Sequence, residues 1–357
     1  MRCDYCFYND EAAKRRQASF GFMSEQTLHN VIRRTLPRAE GMASFAFQGG
    51  EPTLRGMDFF RRAIEYEQRC NLNRVHIQNA LQTNGTLLDE KWSQFLHDNG
   101  FLVGLSVDGL PDIHDRYRHL KTAEGSSWER VCRAAELLDR FEVDYNILTV
   151  VHADVAGRIE EIYRAYQERG WRFQQYIPCL EPLEEERGTR PWSLAPELYG
   201  EFLIRLFELW YTDALRGTQP YIRQFENYIG MLLGYPPEAC DQQGCCGIQY
   251  AVEADGSAYP CDFYMLDADR LGNFNTDRIE MIDKKRREIG FIEKSRRLDG
   301  ACLSCPWYAL CRGGCQRNRE PMPNQAGYRN VFCESYRRFF EVCLPKMREL
   351  IRLRIES

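Results

Sequence analysis

The sequence predicts an α/β fold in which a parallel sheet covered by helices precedes a cysteine-rich C-terminal domain. Strand-like and helix-like patterns alternate with short connections from about residue 20 to about residue 180, which is typical of parallel strands joined by helices. Beyond that region the alternation stops, and nine of the fifteen cysteines lie between Cys240 and Cys333. A chain of 357 residues has room for one large barrel-like domain and a smaller second one.

The first helix follows Ser24, whose side chain can cap a helix that reaches about Leu36. Gly100 and Gly170 follow two later helical patterns, at the position where helices commonly end. We predict these further helices over residues 57–70, 89–99, 128–141 and 159–169. We predict the strands over residues 43–48, 75–82, 101–106, 143–151 and 172–177. Because the chain opens within a loop, we expect a sixth strand upstream of Met1.

After residue 180 the pattern becomes irregular. The charged segment 181–190, punctuated by proline and glycine, is predicted to be a linker or surface loop. Ile248–Tyr259 alternates about Asp255-Gly256, which is a strong hairpin signal. Helices are predicted over residues 196–216, 221–233 and 335–355. We therefore divide the chain into a barrel-like domain, a helical linker region and a cysteine-rich domain, at residues 1–180, 181–235 and 236–357.

Composition excludes several classes of protein. The net charge of −5 and the pI of about 5.8 give no reason to expect nucleic acid or an anionic membrane as a partner. No apolar run approaches the ~20 residues that span a bilayer, and the N-terminus lacks the pattern of an export signal. We expect a cytoplasmic protein. In that compartment a cysteine-rich chain more often binds metal than forms disulfides.

Three glycine-bearing polar loops follow predicted strands: Gln48–Leu54, Gln82–Thr86 and Ser106–Gly109. In parallel α/β folds, ligands bind at the carboxyl ends of the strands, so these loops are predicted to line one mouth. Glycine lets the backbone approach a ligand closely. The amides of these loops, together with Glu51, suit a zwitterionic amino acid.

The C-terminal cysteines form a dense ligand pattern, Cys302-x2-Cys305-x5-Cys311-x3-Cys315. Around it lie further cysteines: Cys240, Cys245, Cys246, Cys261 and Cys333. Ligation by cysteine alone suits either an iron–sulfur cluster or a four-thiolate zinc site, and the spacing leaves both open. The remaining isolated cysteines are interpreted as small core hydrophobes: Cys70, Cys132, Cys179 and Cys343.

Near the N-terminus, Cys3-x2-Cys6 with the aromatic Tyr5, followed by Gly49-Gly50-Glu51-Pro52, resembles the radical SAM motif and its GGEP loop. Segments 45–54, 81–86 and 259–264 are similar in particular to anaerobic sulfatase-maturating enzymes, and the resemblance covers nearly the whole chain, including a SPASM-type C-terminal region. It implies a partial (β/α)6 radical SAM barrel. It also implies radical oxidation of an active-site Cys or Ser of a partner sulfatase to Cα-formylglycine under anaerobic conditions.

The resemblance further implies S-adenosylmethionine (SAM) and three [4Fe–4S] clusters as cofactors. Cys3 and Cys6 would hold the SAM-binding cluster. A first auxiliary set would hold a second cluster through Cys240, Cys246, Cys261 and Cys315. A second auxiliary set would hold the third through Cys302, Cys305, Cys311 and Cys333. Cys245, adjacent to Cys246, is interpreted as a bystander.

Functional side chains are also implied by the resemblance. Asp262 would be the general base that takes the substrate's thiol or hydroxyl proton. Tyr8 and Gln48 would lie near the substrate. The SAM contacts would be Tyr5, Gly50, Ser106, Arg118 and Leu180. The partner would be a sulfatase polypeptide, and a flavodoxin or ferredoxin would donate electrons.

The sequence departs from the family at its start, since the first motif cysteine would fall just before Met1. We expect the chain to begin at an internal methionine, because the match to the family resumes in register at Arg2. The chain as written supplies two of the three thiolates that the SAM-binding cluster requires, which puts its activity in question. Two other functions compete with sulfatase maturation. One is a SPASM peptide maturase that forms a crosslink or thioether, and the other is a zinc-binding protein with four-thiolate sites. Cys versus Ser as the target is left open.

Overall fold

The computed structural model describes residues 1–121, 125–323 and 327–356, and these group into two compact units that do not follow chain order. The first unit comprises Met1–Ser106, Arg118–Tyr145 and Ile248–Phe291. The second comprises residues 107–117, 146–247 and those from Ile292 onward. The predicted domain bounds, which assume consecutive segments, stay a prediction.

In the first unit, the strands Met42–Phe47, His76–Thr83 and Leu102–Ser106 pair in parallel. The register places Met42 opposite His76 and Thr83 opposite Leu105. The predicted strand–helix alternation is confirmed here, with helices at Glu25–Thr35, Met57–Cys70, Glu90–Asp98 and Ser127–Arg140. The carboxyl ends of the three strands therefore lie along one edge of this sheet.

Local sequence explains why these helices begin where they do. The Ser24 hydroxyl accepts a hydrogen bond from the backbone N–H of Thr27 at 3.1 Å, as predicted. Asp89 does the same for the N–H of Trp92 at 2.8 Å. Each cap satisfies a backbone donor that the first turn of a helix leaves without a partner, and is worth about 1 kcal/mol.

The core of the first unit forms where the helices cover the sheet. Leu81, Val103 and Leu105 on the strands are fully buried. Phe60 contacts Trp92 edge to face, with ring centroids 5.2 Å apart. Alternating burial along the strands arises because successive side chains point to opposite faces.

The first unit also contains a small antiparallel sheet formed by Ala251–Val252, Ser257–Tyr259 and Gly272–Asn273. The predicted hairpin around Asp255-Gly256 is confirmed. A helix at Ile279–Glu288 follows, where the sequence predicted only loop. Its buried face packs with a cluster of apolar side chains, namely Ala258, Leu271, Phe274, Ile279 and Ile282.

Asn275 attaches this small sheet to the helix Glu25–Thr35. Its side-chain oxygen accepts from Asn30 Nδ2 at 2.8 Å, and its Nδ2 contacts Thr27 Oγ1 at 3.1 Å. These hydrogen bonds join residues about 245 positions apart in the chain and so attach the segment that carries Asp262 to this helix of the same unit.

In the second unit, strand Phe173–Pro178 pairs in parallel with the strand that ends at Val151 and with Tyr221–Ile222. Tyr221–Ile222 was predicted as the beginning of a helix, which was wrong: the helix is Arg223–Leu232. The two-residue strand is defined by its pairing with Phe173 and Gln174, which no local pattern reveals.

The long helices Pro196–Ala214 and Cys333–Glu356 pack against each other in the second unit. Aromatic side chains fill their interface: Phe207 and Phe339 are fully buried and meet edge to face at 5.9 Å. Ser335 Oγ donates to the carbonyl of Pro196 at 2.5 Å. The predicted C-terminal helix is therefore confirmed and begins at Cys333.

Between these helices in sequence, the cysteine-rich part contains the short helices Gly300–Leu303 and Tyr308–Cys311 and an antiparallel pair, Arg319–Pro321 with Tyr328–Asn330. The sequence predicted no regular structure here. Among the residues that the structure describes, no helix is both long and apolar enough to cross a membrane.

Candidate functional site

Cys3 and Cys6 lie in one turn, in which the N–H of Cys6 donates to the carbonyl of Cys3 at 3.3 Å. Cys3 pairs with Arg118 in a short antiparallel ladder. The Arg118 guanidinium lies 3.8 Å from Cys3 Sγ and 5.6 Å from the centre of the Tyr5 ring. The structure thus brings together four of the predicted residues, with a buried cation beside a thiol that must ionise to bind iron.

Glu51 joins two of the glycine-bearing loops. Its Oε1 accepts from Thr53 N–H and from the hydroxyls of Thr53 and Thr83, at 3.2, 2.6 and 2.7 Å. Its Oε2 accepts from the N–H of Asn84 at 2.9 Å. Glu51 therefore holds the two loops at a fixed separation, and its contact with an amino-acid ligand stays a prediction.

The glycines of the Gln48–Leu54 loop adopt conformations that other residues avoid, with φ of +85° at Gly49 and +55° at Gly50. A Cβ on Gly49 would lie 3.7 Å from the Tyr8 ring, so the loop packs closely on that tyrosine. Gly50 is exposed and leaves its backbone open to a ligand.

The other two predicted SAM contacts lie in different units. Ser106 ends strand Leu102–Ser106, and its hydroxyl accepts from Gln82 Nε2 at 3.0 Å, next to the Gln82–Thr86 loop. Leu180 belongs to the second unit, where it is half-buried two residues after strand Phe173–Pro178.

Asp262 begins a single 3-10 turn directly after Cys261. Gln48 Nε2 donates to its Oδ2 at 3.1 Å, and the Cys261 thiol donates to its Oδ1 at 3.3 Å. Both Gln48 and Asp262 were predicted to lie near the substrate, and the structure brings them into direct contact. The hydrogen bond itself could not be predicted, since the two residues are far apart in the chain.

Tyr8 lies beside this pair. Burial raises the pKa of Tyr8 well above its usual value of 10, and the negative charges of Asp262, Glu11 and the cysteines Cys6 and Cys261 raise it further. The phenol therefore stays protonated and can donate a hydrogen bond at physiological pH.

Contacts that sequence reasoning missed hold the Asp262 turn against the N-terminal helix Phe7–Ala13. Phe7 meets Phe263 edge to face at 4.8 Å. Arg15 forms an ion pair with Glu253, and the N–H of Arg16 donates to Asp267 at 2.9 Å. No local signal marks these residues, because an arginine near a helix end is ordinary on a protein surface.

The four cysteines of the second auxiliary set line one cavity of about 260 Å³. Apolar side chains, including Pro306, Trp307 and Tyr336, share the rest of the lining with charged side chains. Burial raises the pKa of the Cys311 thiol to about 12, and the other three cysteines of the set raise it as well. A water molecule takes about 30 Å³, so the cavity has room for a group several times larger.

Three cysteines of the first auxiliary set also lie together. Burial raises the pKa of the Cys315 thiol to about 12, with further contributions from Asp241, Cys240 and Cys246. Cys246 Sγ also lies 3.8 Å from Oε1 of Gln316, the residue after Cys315, which supports Cys246 as the ligand. The fourth predicted member, Cys261, belongs to the first unit beside Asp262.

The donor set fits iron–sulfur clusters better than zinc. A zinc ion would need sulfurs about 2.3 Å from one point. Over the described part of the chain, no three His, Cys, Asp or Glu side chains are grouped so as to hold one ion. The second auxiliary set instead brings four thiols to one cavity, which suits a cluster held by four cysteines.

Comparison with known proteins identifies two domains in this chain. The radical SAM superfamily model matches residues 1–166, and the model of an iron–sulfur cluster-binding domain, SPASM, matches residues 245–306. The cysteine-type anaerobic sulfatase-maturating enzyme of Clostridium perfringens strain 13 is 42% identical over 348 residues, which are 97% of this chain and 94% of the relative.

A serine-type anaerobic sulfatase-maturating enzyme of Klebsiella pneumoniae is 28% identical over 355 residues, 99% of this chain and 86% of the relative. The solved structure of native anSMEcpe with bound AdoMet and Kp18Cys peptide matches with a TM-score of 0.91 and 40% identity. That match covers 100% of this chain and 96% of the solved one.

Proposed function

The chain belongs to the anaerobic sulfatase-maturating enzymes, which are radical SAM oxidoreductases with a SPASM domain, and we propose that it oxidises an active-site cysteine of a partner sulfatase to Cα-formylglycine. The higher identity to the cysteine-type relative, 42% against 28% for the serine-type one, supports cysteine as the target. We further propose that the protein works in the cytoplasm and takes electrons from a flavodoxin or ferredoxin.

The observation that carries the proposal is the hydrogen bond between Gln48 and Asp262. Gln48 follows a strand of the parallel sheet, and Asp262 follows a cysteine of the first auxiliary set. Their contact supports a carboxylate beside the Gln48–Leu54 loop. A base at that position is what removal of a proton from a bound thiol requires.

Cys3 and Cys6 fit the SAM-binding cluster, the second auxiliary set fits another, and Cys240, Cys246 and Cys315 contribute to the third. When bound, SAM and these clusters supply the radical that removes a hydrogen atom from Cβ of the target cysteine and the acceptor for the electron that leaves with it. The residues of the chain hold these groups, exclude water and move the remaining proton.

Asp262 takes the proton from the target's sulfur. Its Oδ2 accepts one hydrogen bond from Gln48 and has another lone pair for the substrate. Gln48 orients the carboxylate through an N–H that cannot itself ionise. Loss of one hydrogen atom, one proton and one electron leaves a thioaldehyde, which water converts to formylglycine with release of hydrogen sulfide.

Tyr8 supports this step as a neutral donor. Because the pKa of its phenol is raised, it adds no negative charge that would compete with Asp262 for the proton. Its ring packs on the Gly49 backbone and so helps to hold the loop that follows the strand Met42–Phe47.

The test is anaerobic incubation of the purified protein, in a form that carries the first motif cysteine before Met1, with SAM, a strong reductant and a peptide spanning the target cysteine of a sulfatase. Mass spectrometry should find formylglycine at that position, together with 5′-deoxyadenosine in solution. A peptide with serine at the same position should react more slowly. An unmodified cysteine peptide in a reaction that still produces 5′-deoxyadenosine would rule out this substrate class.

A further inference from the structure

Arg319 is a buried cation that no carboxylate neutralises. It is 9% exposed, and within the described chain it forms no ion pair with an aspartate or glutamate. Its guanidinium donates instead to three backbone carbonyls: from Nε to Gly313 at 2.9 Å, and from its terminal nitrogens to Ser295 and Gly314. Burial of a charge without an opposite charge is costly, so the fold must have a group that compensates it.

Cysteines of both auxiliary sets lie near this cation, and their sulfurs would be thiolates when they hold a cluster. Burial lowers the pKa of Arg319, and four of these cysteines oppose that effect. Two of them, Cys315 and Cys246, belong to the first auxiliary set. The other two, Cys302 and Cys311, belong to the second. One guanidinium therefore faces both ligand sets from a position inside the second unit.

The hydrogen bonds of Arg319 reach the backbone next to both sets. Gly313 and Gly314 connect Cys311 of the second set to Cys315 of the first, with φ of +81° and +63°. Ser295 is the third acceptor, and its hydroxyl accepts from the N–H of Cys246 at 2.9 Å. Arg319 is thus held by the same segments that position the cysteines.

We propose that Arg319 is a positioning residue shared by the two auxiliary clusters, whose buried positive charge makes both clusters easier to reduce. The proposal deepens the proposed function and rests on its ligand sets. Reduction adds negative charge to a cluster, and a fixed cation in a region of low dielectric stabilises that charge. The guanidinium cannot lose its proton at physiological pH, so its effect is constant.

Arg337 provides a matched control. It is also an arginine beside a ligand of the second set, because it lowers the pKa of Cys333. However, its side chain is 56% exposed and pairs with Glu334. Water screens such a charge, so its removal should have little effect on either cluster.

The experiment compares wild type, Arg319→Gln, Arg319→Lys and Arg337→Gln after anaerobic purification. Iron and sulfide are counted, and the reduction potential of each auxiliary cluster is measured by titration followed by electron paramagnetic resonance. We expect Arg319→Gln to shift both potentials to more negative values. Arg319→Lys keeps the positive charge, so both of its potentials should lie close to the wild-type values. Arg337→Gln should also keep the wild-type potentials.

The remaining outcomes are decisive. Unchanged potentials in a fully loaded Arg319→Gln variant, or a shift in one cluster alone, would overturn the shared electrostatic role. If Arg319→Gln fails to load iron, the Arg319→Lys variant decides. Wild-type potentials in Arg319→Lys would support the role of the charge, whereas failure of Arg319→Lys to load iron would overturn it. A wild-type protein without two auxiliary clusters would instead contradict the proposed ligand sets.

Discussion

Gln48 and Asp262 are 214 residues apart in the chain and share a hydrogen bond of 3.1 Å between Nε2 and Oδ2. The bond exists because the hairpin segment of the first unit is attached to the helix Glu25–Thr35 through Asn275. It makes Asp262 an oriented carboxylate, and the first prediction follows from that geometry.

Replacing Asp262 by asparagine removes the base and leaves the shape of the turn almost unchanged. Because positioned proton transfer contributes about 10²- to 10⁴-fold to a rate, we expect formylglycine formation to fall by that factor. Radical generation does not need this carboxylate, so SAM cleavage should continue. Both products can be measured in one reaction, by mass spectrometry and by chromatography of 5′-deoxyadenosine.

The matched control is Asp267→Asn. Asp267 lies five residues further along, is exposed, and accepts a hydrogen bond from a backbone N–H that asparagine can also satisfy. If the two variants lose formylglycine formation equally, Asp262 has no special role as a base.

Glu51→Gln tests whether the two loops must be held together. The carboxylate accepts four hydrogen bonds, and glutamine offers only one oxygen for them. A hydrogen bond to a charged group is worth about 1.5–3 kcal/mol. If the loops are no longer held together, part of that lost energy should appear as weaker SAM binding, and we expect a decrease of about tenfold. Equilibrium dialysis measures the dissociation constant.

Glu65→Gln serves as the comparison for this variant, since Glu65 pairs only with exposed Arg62 on the surface of the same unit. It should bind SAM like wild type. Equal affinity of the Glu51→Gln and wild-type proteins would show that the loops keep their separation without the carboxylate.

The adjacent cysteines 245 and 246 offer a direct test of the first auxiliary set. Cys246 contributes to the raised pKa of Cys315, and its Sγ lies 3.8 Å from Oε1 of Gln316, the residue after Cys315. We expect Cys246→Ser to lose one cluster, measured as iron and sulfide per chain, because a serine hydroxyl replaces a thiolate ligand poorly. Cys245→Ser should retain all of its iron. The reverse pattern would exchange the roles of the two residues.

Glu67 predicts a pH dependence of stability. It is 3% exposed, and burial raises its pKa from 4.5 to about 7. Above pH 4.5 the unfolded chain is charged at this position, while the folded chain binds a proton until about pH 7. Stability therefore falls as pH rises through this window and stays reduced above it.

Glu67→Gln should remove that loss, and should stabilise the first unit at pH 8 by about 1–3 kcal/mol. Asn79 Nδ2 donates to Glu67 at 2.8 Å, while Asn79 Oδ1 is buried without a partner, so the new amide can both accept and donate. Thermal unfolding of wild type and variant at pH 5 and pH 8, at one scan rate, measures the difference. A wild-type advantage that grows with pH would contradict it.

The sequence by itself determined the elements whose signals are local. The capped helix Glu25–Thr35, the helix Met57–Cys70 and the hairpin around Asp255-Gly256 follow from periodicity, caps and turn residues within about fifteen positions. The cysteine spacing likewise indicated metal binding, because ligands supplied by one loop lie close in the chain whatever the rest of the fold does.

Only the tertiary structure decided which distant residues meet. The strand Tyr221–Ile222 exists through its pairing with Phe173–Gln174, and Arg319 faces both cysteine sets because Ser295 and the Gly313-Gly314 turn surround it. These contacts depend on how sheets and loops pack across tens to hundreds of residues. The residues next to a side chain in the sequence do not determine that packing. For this reason the sequence did not predict that Arg319 lies near both cysteine sets.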